Sequence, residues 1–230
     1  MTTPNTFSVF KRGLAKLSKP LMWGMAISVL LVGIFAKLSE DLIHNELGTF
    51  DRVVGEFIRG FTAPSVTRVE IIITNLGSAY IEISLLVIIC AFLWFRLRHT
   101  WETVLLAISL TGAWLLNTVL KQLFQRERPN IMFLVHADGH SFPSGHTMVA
   151  TAFYGVLGYI VWLNLRNHAK RSWYIVAGTF VLISAIGISR VYLGVHYASD
   201  VIAGYAAGGV WAIACIIGLN EICNHTTKRL

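Results

Sequence analysis

The sequence predicts an all-α integral-membrane protein, a six-transmembrane-helix bundle with short interfacial helices. Two observations carry this. The 230 residues are 55% apolar and only 13% charged, whereas a soluble domain carries about 25% charged residues. Six segments, residues 21–38, 77–95, 103–120, 147–165, 172–189 and 201–219, are each apolar over a length close to the ~20 residues that cross a hydrocarbon core. None shows the charged stripe that a helix of this length keeps in a soluble bundle. Lipid is therefore the solvent for their outer faces.

Ahead of the first segment, Phe7, Phe10, Leu14 and Leu17 recur at helical spacing among Lys11, Arg12, Lys16 and Lys19. This pattern suits a short interfacial helix on anionic lipid. The first segment is too long for a signal-peptide core and no small-x-small cleavage pattern follows it, so it reads as a retained helix. Residues 39–75 form the one long connection. Its amphipathic part, 50–61, is closed by Pro64 and reads as a helix lying on the outer surface. The connections at 96–102 and 166–171 are tight, which pairs the second segment with the third and the fourth with the fifth as antiparallel hairpins. No internal repeat or low-complexity tract interrupts residues 1–230, which read as a single membrane-embedded domain. Cys90 and Cys215 fall inside apolar segments and Cys223 near the end of the last. They read as small apolar side chains rather than disulfide or metal partners.

Orientation follows from the cations. With the N-terminus in the cytoplasm, that side holds eleven of the nineteen Lys and Arg residues, against two acids, Glu102 and Glu221. Four of the eight on the opposite side, Lys121, Arg126, Arg128 and Arg190, belong to a cluster with a chemical use. The positive-inside bias then puts both termini in the cytoplasm of a cell-membrane protein, and the cluster faces outward.

That cluster occupies residues 121–200. Lys121 and Arg128 are seven residues apart, two turns on one helical face, and Pro129 disfavours helix at Arg128. Pro143-Ser144-Gly145-His146 opens the fourth helix, where free amides and the helix dipole make an anion site. Gly145 admits close backbone approach, the Ser144 hydroxyl adds a donor, and His146 stands where it could protonate a leaving oxygen. Arg190 ends the fifth helix and offers a planar fork of donors. His196 and Asp200, four residues apart at the start of the sixth, fit a ring whose tautomer is fixed by a carboxylate. Cations and histidines without a carboxylate cage suit a bound phosphate. Arg126 and Glu127 read as a solvated pair, and Glu82 as an acid shallow enough to reach the interface.

Lys-x6-Arg-Pro, Pro-Ser-Gly-His and Ser-Arg-x5-His-x3-Asp, in this order, resemble the three signatures of the type-2 phosphatidic acid phosphatase superfamily. All signature positions are matched. The resemblance is nearest to small bacterial members that act on phosphatidylglycerophosphate or undecaprenyl diphosphate. The larger members carry a soluble insertion that this chain lacks. The resemblance implies a metal-independent lipid phosphate phosphatase with no cofactor. Within it, His196 would attack phosphorus and form a phosphohistidine, Asp200 would orient the ring, and His146 would serve as acid and then base. Lys121, Arg128, Ser144, Gly145 and Arg190 would bind the phosphate. The expected partners are a lipid phosphate substrate and the bilayer, with no nucleic acid. Two rivals share the scaffold: a lipid phosphotransferase or haloperoxidase using the same pocket, and a non-catalytic lipid transporter.

Overall fold

A computed structural model describes residues 19–97, 100–131, 134–135, 137–165 and 173–227. The expected N-terminal interfacial helix lies outside these. Eight α-helices are described: α1 (Lys19–Ile43), α2 (Gly48–Arg59), α3 (Pro64–Leu76), α4 (Ala79–Phe92), α5 (Thr100–Phe124), α6 (Gly145–Leu165), α7 (Trp173–Tyr192) and α8 (Ala198–Thr227). A π-helical turn, Leu93–Leu97, continues α4. Six of the helices, α1 and α4 to α8, are long and apolar enough to cross a membrane, as the sequence predicts.

Most ends run past the apolar segments, for local reasons. Helix α1 continues to Ile43 because Lys37 pairs with Glu40 at 3.3 Å and Asp41 at 2.7 Å, so its last polar turns are satisfied along their own surface. Pro64 does not close a surface helix; it opens a second one. Proline at the first position of α3 gives up an N–H that would have no helical acceptor anyway. The long connection is thus two helices, α2 and α3, rather than one helix in a loop.

Helix α6 is the central element. Its Ala150, Phe153 and Val156 are fully buried beside Leu106 and Ala113 of α5 and Ile186 of α7. Helix α8 reaches α6 closely because Gly204 and Gly208 face the backbone of α6. A Cβ on Gly204 would lie 3.0 Å from the Ser144 carbonyl oxygen. Small residues that let backbones approach are the usual source of packing energy where lipid removes the hydrophobic drive. Helix α1 flanks α8, with Gly24 set against Ile213 and Ile217, and presents most of its surface outward.

Helix α2 has three faces. Asp51, Val54, Gly55 and Ile58 turn toward α7 and α8, Phe50, Val53 and Phe57 form an exposed apolar stripe that Phe61 continues just past its end, and Arg52, Glu56 and Arg59 border a cleft. Glu82 differs from expectation. It is only 2% exposed, and its Oε1 has no hydrogen-bond partner among the described residues. It packs inward from the first turn of α4 instead of reaching the interface. Cys215 is buried and Cys90 half-buried, both as apolar filler.

The close α6–α8 approach generates a stability prediction. Gly204→Val is expected to destabilise the detergent-solubilised protein by roughly 1–3 kcal/mol, the usual penalty of overpacking. Gly178→Val, where a Cβ meets nothing within 4 Å, serves as the control and is expected to leave the thermal midpoint unchanged.

Candidate active site

Because the spanning helices alternate in direction, the C-terminal ends of α5 and α7 and the N-terminal ends of α6 and α8 share one end of the bundle. Each delivers part of the cluster. Helix α5 stops at Phe124, and Gln125 takes a left-handed conformation (φ 46°). Arg126 and Arg128 therefore lie on a non-helical strap, not two turns up the same helix face as Lys121. Lys121 stays on the last turn of α5, and the strap folds back to bring Arg128 to the same place. Arg128 is anchored there by carbonyls: Nη1 donates to Val195 O at 2.7 Å, Nη2 to Asp138 O at 2.6 Å and Nε to Gly139 O at 3.0 Å.

The turn after α7 is made by Gly194 at φ 79°, a conformation in which a Cβ would be strained. Through it the amides of Val195 and His196 fold back onto the Arg190 carbonyl, at 3.2 and 3.3 Å. His196 thus precedes α8 by a short turn instead of sharing its helical face with Asp200. The pair still meets, with Nδ1 3.4 Å from Asp200 Oδ2. Arg190, on the last turn of α7, is 4% exposed. Its Nη1 donates to Thr74 Oγ1 of α3 at 2.7 Å, while its Nε is buried without a partner among the described residues.

The tautomer of His196 follows from its neighbours. Arg128 Nη1 is 3.3 Å from Nε2, and a guanidinium only donates. Nε2 must therefore hold the lone pair, and Nδ1 the proton, directed at Asp200 Oδ2 and at Ser141 Oγ (3.3 Å). Ser141 in turn donates to Asp200 Oδ2 through a short hydrogen bond. Burial, only partly offset by Asp200, pushes the His196 ring down to about 4. The ring is neutral at physiological pH, so its link to Asp200 is a hydrogen bond rather than an ion pair. Its free nitrogen faces the cations.

Arg128 and Arg190 act on the His196 ring, and Lys121 and His146 belong to the same cluster. Lys121 lies within repulsive range of both arginines, and His146 within range of all three cations and of His196. Cations held this close in a partly buried place repel one another and leave donors unused. An anion relieves both problems. The Ser144 amide is not free as expected: its N–H is taken by Asp200 O at 3.0 Å, while its hydroxyl pairs with Thr147 Oγ1 at 2.9 Å, where either oxygen can donate. The site's backbone donors are thus the first-turn amides of Gly145 and His146, which an α-helix leaves without internal acceptors. Gly145 is needed for a close approach, since a Cβ there would sit 2.9 Å from Asn117 Oδ1. Among the described residues no group of three or more His, Cys, Asp or Glu side chains is placed to hold a metal.

Sequence reasoning missed Ser141, Asp51, Thr74 and Ser199, and misread Arg126. Arg126 is not a solvated partner of Glu127. Its side chain is 12% exposed, with Nη1 2.6 Å from Asp200 Oδ1 and Nη2 2.7 Å from Asp51 Oδ2. Burial works against its charge, yet Asp200 and Asp51 outweigh that and raise its pKa. Two such acids, 149 residues apart in the chain, leave no local pattern. A cleft of about 270 Å³ lined by Asp51, Arg52, Arg59, Pro129, His196 and Tyr197 opens beside this network.

The buried ring generates a titration prediction. In the purified protein, the ¹⁵N shifts of His196, assigned by loss of its signal in His196→Ala, are expected to report a neutral Nδ1–H ring down to about pH 4. An unperturbed histidine would protonate near 6.5. Protonation of His196 at pH 6 or above would contradict the geometry.

Comparison with known proteins gives the same direction. The PAP2 superfamily profile matches residues 102–222. The chain is 36% identical over 176 residues to phosphatidylglycerophosphatase B of Bacillus subtilis, covering 76% of this chain and 85% of that protein. It superposes on the crystal structure of the transmembrane PAP2-type phosphatidylglycerolphosphate phosphatase from Bacillus subtilis with a TM-score of 0.78 and 33% identity, over 84% of this chain and 96% of the other. The crystal structure of Aquifex aeolicus LpxE matches with a TM-score of 0.58 and 26% identity, over 71% and 93% of the two chains. Six spanning helices, a cation cluster around a neutral histidine and these likenesses converge: the chain belongs to the PAP2 superfamily and is a multi-span membrane phosphatase.

Proposed function

We propose that the protein hydrolyses a lipid phosphomonoester or diphosphate at the outer face of the cell membrane through a phosphohistidine on His196. The observation that carries this reading is the placement of the His196 Nε2 lone pair among Lys121, Arg128 and Arg190, with Nδ1–H directed at Asp200. The cations and the Gly145 and His146 amides hold the equatorial oxygens and stabilise the charge that develops on them. As Nε2 attacks, the ring gains positive charge, and the Asp200 carboxylate balances it through Nδ1–H. His146, protonated once the negative charge of the bound phosphate offsets the cations around it, gives that proton to the departing lipid oxygen. It then takes one from the water that attacks the phosphohistidine. The cations do the work that metal ions do in other phosphoryl-transfer sites, so no Mg²⁺ is required. Phosphatidylglycerophosphate is the substrate we favour, supported by the likeness to the Bacillus enzyme along most of both chains.

The chemistry is tested in EDTA with purified protein against phosphatidylglycerophosphate, undecaprenyl diphosphate, phosphatidic acid and an aryl phosphate. Turnover is expected to persist in EDTA and to be blocked by vanadate. His196→Ala is expected to form no phosphoenzyme with any substrate. His146→Ala loses only proton transfer, worth roughly 10²–10⁴-fold, and so keeps partial phosphoenzyme formation with the aryl phosphate. Rapid quench at alkaline pH reads the label. Label on His196→Ala, or equal loss in both variants whatever the leaving group, would refute the assignment.

The outward orientation rests on the cation count. In intact cells a cysteine at Asp138 is expected to react with an impermeant thiol reagent, and one at His168 to be protected. The reverse pattern would place the site on the cytoplasmic side.

A further inference from the structure

Asp200 has no exposed surface, and its two oxygens have different partners. Oδ2 receives Tyr197 N at 2.9 Å, Ser141 Oγ and the His196 ring. Oδ1 receives Arg126 Nη1 at 2.6 Å. The same Nη1 lies 2.8 Å from Ser199 Oγ, and Nη2 reaches Asp51 on α2. Asp51 also accepts the Ser199 amide at 2.8 Å and the Ser199 hydroxyl at 2.7 Å. It therefore grips the residue next to Asp200 as well as the cation that holds it. The Tyr197 ring covers the guanidinium, with Cζ 3.9 Å from its centroid. Arg126 is thus fixed by two carboxylates, a hydroxyl and an aromatic face.

We infer that Arg126, held by Asp51, is a positioning residue for the reaction: it fixes Asp200 Oδ1 so that Oδ2 stays aimed at the His196 ring and Ser141. The side-chain partners of Arg126 among the described residues are Asp51, Ser199, Asp200 and the Tyr197 ring, and those of Asp51 are Arg126 and Ser199, so their route to the His196 ring runs through Asp200. If Arg126 merely stapled α2 to α8, its pairing with Asp51 and Ser199 would be enough. Instead the fork divides, and one nitrogen goes to the carboxylate behind the nucleophile. Remove it and Oδ1 becomes a buried, unpaired anionic oxygen, free to turn the carboxylate away from the ring. A misplacement of this order costs roughly 10²-fold in rate without weakening ground-state binding.

This inference rests on the reading of His196 as nucleophile, and the experiment separates the two. Wild type, His196→Ala, Arg126→Met, Arg126→Lys, Asp51→Asn and the Arg126→Met/Asp51→Asn double variant are compared in EDTA on one aryl phosphate. The measurements are kcat, KM, the inhibition constant of inorganic phosphate and the rapid-quench rate of phosphoenzyme formation. Arg126→Met is expected to lower kcat and the phosphoenzyme rate together by roughly 10²-fold, with KM and the phosphate constant within about threefold of wild type. Arg126→Lys keeps the charge but cannot span both acids, and should recover about tenfold of the loss. Asp51→Asn should lower kcat about tenfold alone and add nothing to Arg126→Met, the non-additivity of residues acting in series. Arg126→Met within about threefold of wild type in kcat would overturn the inference. So would a parallel rise in the phosphate constant, which would make Arg126 part of the clamp. If Arg126→Met does not fold, the milder variants decide: wild-type kcat in both Arg126→Lys and Asp51→Asn overturns the inference equally. Absence of label on wild type, or label on His196→Ala, would defeat the nucleophile reading instead.

Discussion

A carboxylate with no exposed surface sits at the N-terminal end of α8, and much of this end of the molecule is arranged to keep it ionised and fixed. Asp200 receives donors from Arg126, Ser141, Tyr197 and His196 on its side chain. Its backbone oxygen receives the Ser144 amide. An isolated buried carboxylate would be neutralised or expelled; this one has a partner on each oxygen. Those partners come from the strap after α5, the segment before α6 and the turn after α7. Satisfying one charge therefore fixes how four spanning helices meet. The Ser144–Asp200 bond shows the economy of the arrangement, since it ties the start of α6 to the start of α8 beside the close contact at Gly204.

The fold was legible because lipid imposes a coarse rule. Every spanning segment must be long and apolar, so six such runs announce six helices whatever their packing. The motif residues were legible for a different reason: they are polar side chains at the ends of apolar runs, where little else is needed. What stayed hidden was geometry that depends on turns. The positive φ at Gln125 takes Arg128 off the helix of Lys121, and Gly194 takes His196 off the helix of Asp200. Both pairs converge all the same, through folded-back backbone rather than helical periodicity. Spacing alone cannot distinguish these routes, because seven or four residues bring two side chains together in either.

Misreadings at Arg126, Glu82 and the Ser144 amide have a shared cause. Each was judged by its neighbours in sequence, while its partners are remote: Asp51 for Arg126, the inner packing of α4 for Glu82, Asp200 for Ser144. Charged residues adjacent in sequence are usually solvated, and an acid one turn from a helix end usually reaches water. Those expectations fail here because α2 and α3 cover this end of the bundle. The first of these helices is legible in the sequence, but the second is left there within the loop, since Pro64 marks a helix start as readily as a stop.

Covering the site in this way sets the electrostatic contrast on which the proposed chemistry turns. Under α2 and α3 the dielectric falls, so the His196 ring loses its proton and keeps a lone pair, while the arginines keep their charge. Guanidinium is the side chain best suited to this, because its intrinsic pKa leaves several units to lose before it neutralises. The same burial that would discharge a histidine leaves Arg126, Arg128 and Arg190 as cations. A neutral nucleophile and an anion-binding clamp can then stand within 3.3 Å of each other, at Nε2 and Nη1, without the ring becoming protonated. Exposing the site to water would restore the ring's ordinary basicity and screen the clamp together. The surface helices are in this sense part of the site's chemistry, because they set the dielectric in which its charges act.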